Sequence, residues 1–174
     1  MYEEHSISSM ADLLVVLPEI YKKSKTVWFR GHANHEWHLE PTLARRNRLG
    51  AELQLMKQFK QNAYQFLDRP PENEWEWIFL MQHYAIPTRL LDWTESPLVG
   101  LYFALLDGLA ADKLPAAALW CLYPQRLNEI SGIVLSPPDD IPAFGDEPEL
   151  KDYLPSQVQL GNAKKNPLAA RGEK

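Results

Sequence analysis

The polar residues of greatest chemical interest lie in one short stretch, residues 82–97. Among its side chains are the imidazole of His83, the guanidinium of Arg89, the carboxylate of Asp92, and the hydroxyls of Thr94 and Ser96. The stretch joins residues 74–84, which are apolar nearly all the way round, to residues 98–109, which are largely apolar. Because an unpaired charge is costly to bury, these polar side chains must either pair with one another or line a cavity.

Both interpretations stay open from the residues alone. In the first, Arg89 and Asp92 form a buried ion pair, and His83 caps the end of its helix. In the second, His83, Arg89, Asp92 and Thr94 converge with Arg30 on one polar pocket, where all five are candidate catalytic residues. A loop held on a rigid scaffold is a usual place for such a site.

The two hydroxyls differ in what they predict. Ser96 precedes Pro97, which is the usual order of an N-cap followed by the first helical position. We therefore expect Ser96 to cap a helix, although a substrate-binding role stays open for it. Thr94 is the better catalytic candidate of the two.

A metal-dependent nuclease is a different class of interpretation. His32, His35 and His38 recur every three residues, and together with His83 and Asp92 they could in principle bind a divalent cation. In a strand, however, this spacing places His35 on the face opposite to the other two. We therefore predict no metal site.

Patterns of apolar residues predict the elements that must position these side chains. A capping box at Ser9 and Asp12 begins the first helix, with Pro18 as a point of kinking or restart. The further elements, in chain order, are a strand at 26–31, a helix at 50–67, a buried helix at 74–84, a short strand at 88–94, a helix at 98–109 and a buried strand at 116–123. This order predicts an α+β fold, a single compact helix-rich domain with a small mixed sheet.

Composition narrows the class of protein. With 45% apolar and 24% charged residues, the chain is of the globular type. The single cysteine, Cys121, excludes a disulfide framework, and its apolar strand without a nearby base makes it an improbable nucleophile. No apolar run is long enough to span a membrane, and a net charge of −5 argues against broad nucleic-acid binding. The N-terminus lacks the basic region of a signal peptide, so we expect a cytoplasmic protein.

Two motifs give the chain a family resemblance. Phe29-Arg30-Gly31, followed by residues 36–45, is the first motif; Gln82-His83-Tyr84 with residues 87–94 is the second. Their order and spacing resemble the FRG domain family, named for its Phe/Tyr-Arg-Gly tripeptide. The sequence departs from the family at Ala85, where glycine is usual, and at Gly100, where alanine is usual. The resemblance assigns residues 1–123 to the core of the domain. Residues 124–174 are expected to form an irregular, acidic C-terminal part of the same domain. Family members commonly continue to a segment with an arginine, a glutamine and a phenylalanine. Asn166-Pro167 resembles the start of that segment, so the resemblance leaves open whether this domain is truncated or divergent.

The resemblance implies a bacterial or phage protein in a defence or toxin setting. The Arg-Gly strand and the downstream Thr-x-Ser are also similar to two motifs of arginine-type ADP-ribosyltransferases. In that chemistry Arg30, with Gly31, would hold the pyrophosphate of NAD, and Thr94 or Ser96 would position a ribose. No glutamate fits the third motif.

The leading expectation is therefore a pocket for a phosphate-bearing nucleotide, with NAD as co-substrate if ADP-ribose is transferred to an unidentified macromolecule. The alternatives are a non-catalytic recognition or regulatory module and, third, the metal-dependent nuclease.

Overall fold

The structure is a computed structural model that describes residues 3–106, 116–133, 140–143, 148–159 and 167–171. Its regular elements, in chain order, are α1 (Met10–Lys23), β1 (Trp28–His32), α2 (Thr42–Arg45), α3 (Glu52–Ala63), α4 (Glu74–His83), α5 (Pro97–Leu106), β2 (Ala118–Leu122), α6 (Pro124–Ile130) and α7 (Pro155–Gln159). Short 3₁₀ turns lie at Leu49–Ala51, Tyr64–Phe66 and Pro148–Tyr153.

The chain divides into two compact units, and neither of them is a continuous stretch. Unit 1 combines Met1–Trp37 with Trp93–Ile130, and unit 2 combines His38–Asp92 with Ser131–Lys174. Helices and a small sheet therefore occur together, as the predicted α+β class requires. The division of the chain at residue 123 stays a prediction.

Unit 1 is organised around an antiparallel pair of strands. β1 and β2 align from Trp28 opposite Leu122 to His32 opposite Ala118. Within the described residues the sheet has two strands and is antiparallel, not mixed as predicted. Because side chains alternate along a strand, Phe29 and Gly31 share one face of β1, and Arg30 lies on the other.

Helix α5 covers the face of β1 that carries Gly31. A Cβ atom on Gly31 would lie 2.1 Å from the carbonyl oxygen of Gly100 and 2.3 Å from the amide nitrogen of Ala104. Only glycine allows two backbones to approach this closely. The position of α5 on the sheet therefore depends on the absence of a side chain at residue 31.

The start of α1 follows its sequence signal. The Ser9 hydroxyl accepts a hydrogen bond from the backbone amide of Asp12, whose carboxylate accepts one from the Ser9 amide. Both halves of the predicted capping box are thus present. The helix continues through Pro18 to Lys23 as one element, so the expected restart does not occur.

Unit 2 holds an apolar core around α4. Its buried members are Met56, Trp75, Trp77, Ile78, Met81, Ile133, Leu150 and Tyr153. The prediction that residues 74–84 form a helix through the core is confirmed. The core also receives residues from 133 onwards, where the sequence pattern predicts no helix.

Two parts of the predicted element order need correction, and a third is only partly described. Residues 88–93 form no strand, and only Thr94 makes a β-bridge. Helices α6 and α7 and the last 3₁₀ turn are not predicted, because prolines and polar residues interrupt the apolar periodicity after residue 123. The described part of the helix predicted at 98–109 runs from Pro97 to Leu106, and residues 107–109 lie outside the described residues. No described helix is long and apolar enough to cross a bilayer.

Candidate functional site

Arg30 belongs to a group of polar and aromatic side chains on one face of unit 1. We call Arg30, His32, Trp37 and Trp120 the Arg30 cluster. Arg30 lies directly opposite Trp120 in the strand pair, and its Nε lies 3.3 Å from Nε2 of His32. His32 is buried, whereas Trp37 is 44% exposed. The cluster therefore combines a guanidinium with an accessible indole.

His32 connects the members of this cluster. Its Nδ1 lies 3.3 Å from the carbonyl oxygen of Trp37 and 3.2 Å from Nε1 of Trp120. If Nδ1 carries the proton, it donates to Trp37 and Nε2 accepts from Arg30; in the other tautomer, Nδ1 accepts from the indole of Trp120. Either tautomer fixes the imidazole between the strands and Trp37.

Thr94 lies next to β1 but on its other face. The amide of Phe29 donates to the carbonyl of Thr94 at 2.7 Å, and the amide of Thr94 donates back at 2.9 Å. β1 and the end of the second motif therefore meet at this pair. Residues directly opposite each other in an antiparallel pair share a face. Thr94 therefore shares the face of fully buried Phe29, opposite to the face of Arg30.

The hydroxyls of Thr94 and Ser96 are both used locally. The Thr94 hydroxyl accepts from the Ser96 amide at 3.1 Å, and the Ser96 hydroxyl accepts from the Val99 amide at 3.4 Å. Ser96 therefore caps the first turn of α5, as its place before Pro97 predicts. Thr94 forms a turn that leads the chain into the same helix.

In unit 2, Arg89 pairs with a residue that the sequence analysis does not single out. Its guanidinium forms an ion pair with Glu52, whose side chain is 2% exposed, and its backbone amide donates to the same carboxylate at 3.1 Å. A further guanidinium nitrogen lies 3.5 Å from the carbonyl oxygen of Tyr153. The predicted ion pair between Arg89 and Asp92 is therefore wrong.

Glu52 does carry a signal in the sequence. It precedes Met56 by four residues and Phe59 by seven, so it lies on the apolar stripe of α3. An acidic residue at such a position must find a cation in the interior. The need for a buried partner is not evident from the sequence, because an acidic residue is also favourable in the first turn of a helix, where Glu52 lies.

The rest of the second motif forms a hydrogen-bonded chain. The Thr88 hydroxyl donates to the side-chain oxygen of Gln82, and the Gln82 amide donates to the Asp92 carboxylate at 2.6 Å. Thr88 is buried, but Asp92 is exposed. The expectation of a largely buried Asp92 is wrong: Leu90 still packs against the core, but the chain has reached the surface at Asp92.

His83 and Ala85 lie at the end of α4. His83 is exposed in the last turn, and its ring packs edge-on against Tyr84, with 5.4 Å between the centroids. Ala85 has a φ of +56°. The Ile86 amide donates to the carbonyl of Met81 at 2.9 Å, which is the pattern of a helix end that turns through a left-handed residue.

The histidines and Cys121 are the side chains that a metal site or a thiol nucleophile would use. In the described part of the chain, no group of three or more His, Cys, Asp or Glu side chains is placed to hold a metal ion. Nδ1 of His35 lies 3.2 Å from the carbonyl oxygen of Ala116. Burial raises the pKa of the Cys121 thiol to about 11, so the thiolate nucleophile is scarce at neutral pH.

The FRG domain family matches residues 25–113, which is slightly more than half of the chain. The chain belongs to the FRG domain family. Neither the curated proteins nor the solved structures include a significant match to it.

Each residue of the tripeptide in this FRG domain has a distinct place in unit 1. Phe29 is fully buried, Arg30 enters the Arg30 cluster, and Gly31 admits α5. The second FRG motif divides its residues between the units: Thr94 belongs to unit 1, whereas His83, Arg89 and Asp92 belong to unit 2. Their convergence with Arg30 on one pocket stays a prediction.

Proposed function

We propose that this FRG domain binds a phosphate-bearing nucleotide through the Arg30 cluster. The observation that carries the proposal is the set of contacts around His32: Arg30 contacts its ring, and its Nδ1 contacts the carbonyl oxygen of Trp37. The half-exposed indole of Trp37 lies with its centroid 6.2 Å from that of the His32 ring. This arrangement places a fixed cation and an accessible aromatic ring on one side of the strand pair. These two groups match the two parts of a nucleotide: the cation can bind the phosphate, and the aromatic ring can stack on the base.

Each group has a separate task in this proposal. The planar guanidinium of Arg30 presents several N–H donors that match two oxygens of one phosphate. The indole of Trp37 offers a face on which a base stacks, an interaction worth about 1–3 kcal/mol per base. Trp120 and His32 hold both groups in place, with ring centroids 6.2 Å apart.

ADP-ribosyl transfer would also need a hydroxyl beside the bound ribose. The expected hydroxyl is that of Thr94, but Thr94 shares the face of Phe29, opposite to the face of β1 that carries Arg30. This hydroxyl already accepts a hydrogen bond from the backbone amide of Ser96. The geometry of unit 1 therefore supports nucleotide binding better than it supports transfer through Thr94. NAD remains a suitable probe because it contains both a pyrophosphate and a flat base.

The test is calorimetric titration of NAD, ADP-ribose and ATP into the wild-type protein and three variants. Arg30→Lys keeps the charge but loses the fork, so we expect affinity to fall at least about tenfold, or about 1.4 kcal/mol. Trp37→Ala should weaken binding by a similar factor. Arg126→Lys is the control, because Arg126 is an exposed arginine of unit 1 paired with Glu129.

Two results would contradict the proposal. If none of the three nucleotides binds the folded wild type, the Arg30 cluster is structural. That result would favour the alternative of a non-catalytic recognition or regulatory module. If a nucleotide binds equally well to wild type, Arg30→Lys and Trp37→Ala, the nucleotide site is not this cluster. Circular dichroism of each variant establishes that it is folded.

A further inference from the structure

Helix α5 exposes an unusually apolar surface. Its inner side, with Gly100 and Ala104, is buried against β1. Its outer side carries Leu98, Val99, Tyr102, Phe103, Leu105 and Leu106, each between 41% and 57% exposed. At 100° per residue these six lie within an arc of roughly 160°, so they form one continuous face. We call them the α5 face.

The size of this face is informative. Six large side chains about half exposed present roughly 500 Å² per copy, given that an aromatic side chain alone spans roughly 150–250 Å². This is near the upper limit for an apolar patch on a monomer, and patches of that size are often functional. Two such faces together would bury about 1,000 Å², which is the size at which a specific protein interface begins.

The chemistry of the face suits a second copy of this chain. α5 contains no Asp, Glu, Lys or Arg, although the chain as a whole carries a net charge of −5. Two copies that meet through α5 therefore bury no charged side chain of this helix and pay no cost of charge desolvation. A tyrosine and a phenylalanine at the centre also match the composition of interface cores.

We propose that the α5 face is the interface of a two-fold symmetric homodimer, with Tyr102 next to the symmetry axis. In an antiparallel pair of α5 helices centred there, Leu98 meets the partner's Leu106, and Val99 meets the partner's Leu105. Each contact occurs twice, as a two-fold axis requires. Every exposed aliphatic residue of the helix then has an apolar partner, and α5 itself brings no charged side chain into the interface.

The first experiment measures the mass of the protein in solution by sedimentation equilibrium across the micromolar range. The wild type should give the mass of two chains, and Phe103→Glu should give the mass of one, because it places two carboxylates in the interface. The matched control is Phe66→Glu, since Phe66 is 80% exposed and belongs to unit 2. That variant should remain a dimer.

The second experiment tests the position of the axis. Under oxidising conditions, Tyr102→Cys should form an intermolecular disulfide, whereas Phe66→Cys should not. A monomeric wild type would overturn the proposal and leave the α5 face to a different partner. A dimer that survives in folded Phe103→Glu would also overturn it, because the interface would then lie elsewhere. The nucleotide affinity of Phe103→Glu is measured separately. A failure of the dimer proposal can then be distinguished from a failure of the nucleotide-binding proposal at the Arg30 cluster.

Discussion

Gly31 of β1 and Gly100 of α5 lie against each other at a close contact between sheet and helix. A Cβ atom on Gly31 would meet the Gly100 carbonyl oxygen at 2.1 Å, and a Cβ atom on Gly100 would meet the Phe29 Cβ at 3.0 Å. The glycine of the tripeptide is thus a packing residue. The second glycine, at the position where the family usually has alanine, faces the same contact from the helix side.

Gly31→Ala should therefore destabilise the protein severely. The new methyl group meets backbone atoms that cannot rotate away, so α5 must move from the sheet, at a cost of about 3 kcal/mol or more. Urea denaturation gives the change in the free energy of unfolding. Gly50→Ala is the control, because a Cβ atom at residue 50 has no neighbour within 4 Å and should be tolerated. Equal stability of both variants would show that α5 does not lie where we describe it.

Glu52→Ala should be much more damaging than its place at a helix start suggests. Removing the carboxylate leaves the Arg89 guanidinium, 19% exposed, without its counter-ion, which costs about 3–5 kcal/mol. Glu52→Gln should cost less, since its side-chain oxygen can still accept from the Arg89 amide. Glu72→Ala breaks a fully accessible pair with Arg69 and should change stability by less than about 1 kcal/mol. Unfolding of Glu52→Ala at the same urea concentration as Glu72→Ala would show that the carboxylate of Glu52 does not stabilise Arg89 in the interior.

Ala85→Gly should stabilise the protein. Ala85 has a φ of +56°, a left-handed conformation that costs an L-residue about 1 kcal/mol and glycine almost nothing. The gain should appear as a higher melting temperature. The same substitution at Ala11, an exposed residue inside α1, should instead cost up to about 1 kcal/mol. A loss of stability at both positions would contradict the left-handed helix end.

Cys121 should make stability fall at alkaline pH. Burial raises its pKa from 9.0 to about 11, so the folded state retains a proton that the unfolded chain releases. Its contribution to stability is complete below pH 9 and is lost as the pH rises towards 11. Between these limits, the wild type should lose more stability than Cys121→Ala.

The reactivity of the thiol gives a second test. Native Cys121 should react slowly with a thiol reagent at pH 8, and the labelling reaction should become fast when the protein is unfolded in urea. Rapid labelling of the native protein would contradict the burial.

Local elements of this protein follow from the sequence because their causes are local. Ser9 and Asp12 form both bonds of the capping box within four residues, and Ser96 before Pro97 fixes the start of α5. Residues 74–84 are apolar on nearly every side and therefore require burial, and α4 accordingly forms part of the core of unit 2. The family itself could also be recognised, since its two motifs are contiguous strings.

Which residues meet across long separations was decided by the tertiary structure. Arg89 pairs with Glu52, 37 residues away, and not with Asp92, three residues away, because the interior at Arg89 is supplied by α3. The sequence places Arg30 and Thr94 as candidates for one site, yet the pairing of Phe29 with Thr94 sends their side chains to opposite faces. A strand sequence determines which residues alternate, but only the register with its neighbour determines which of them share a face.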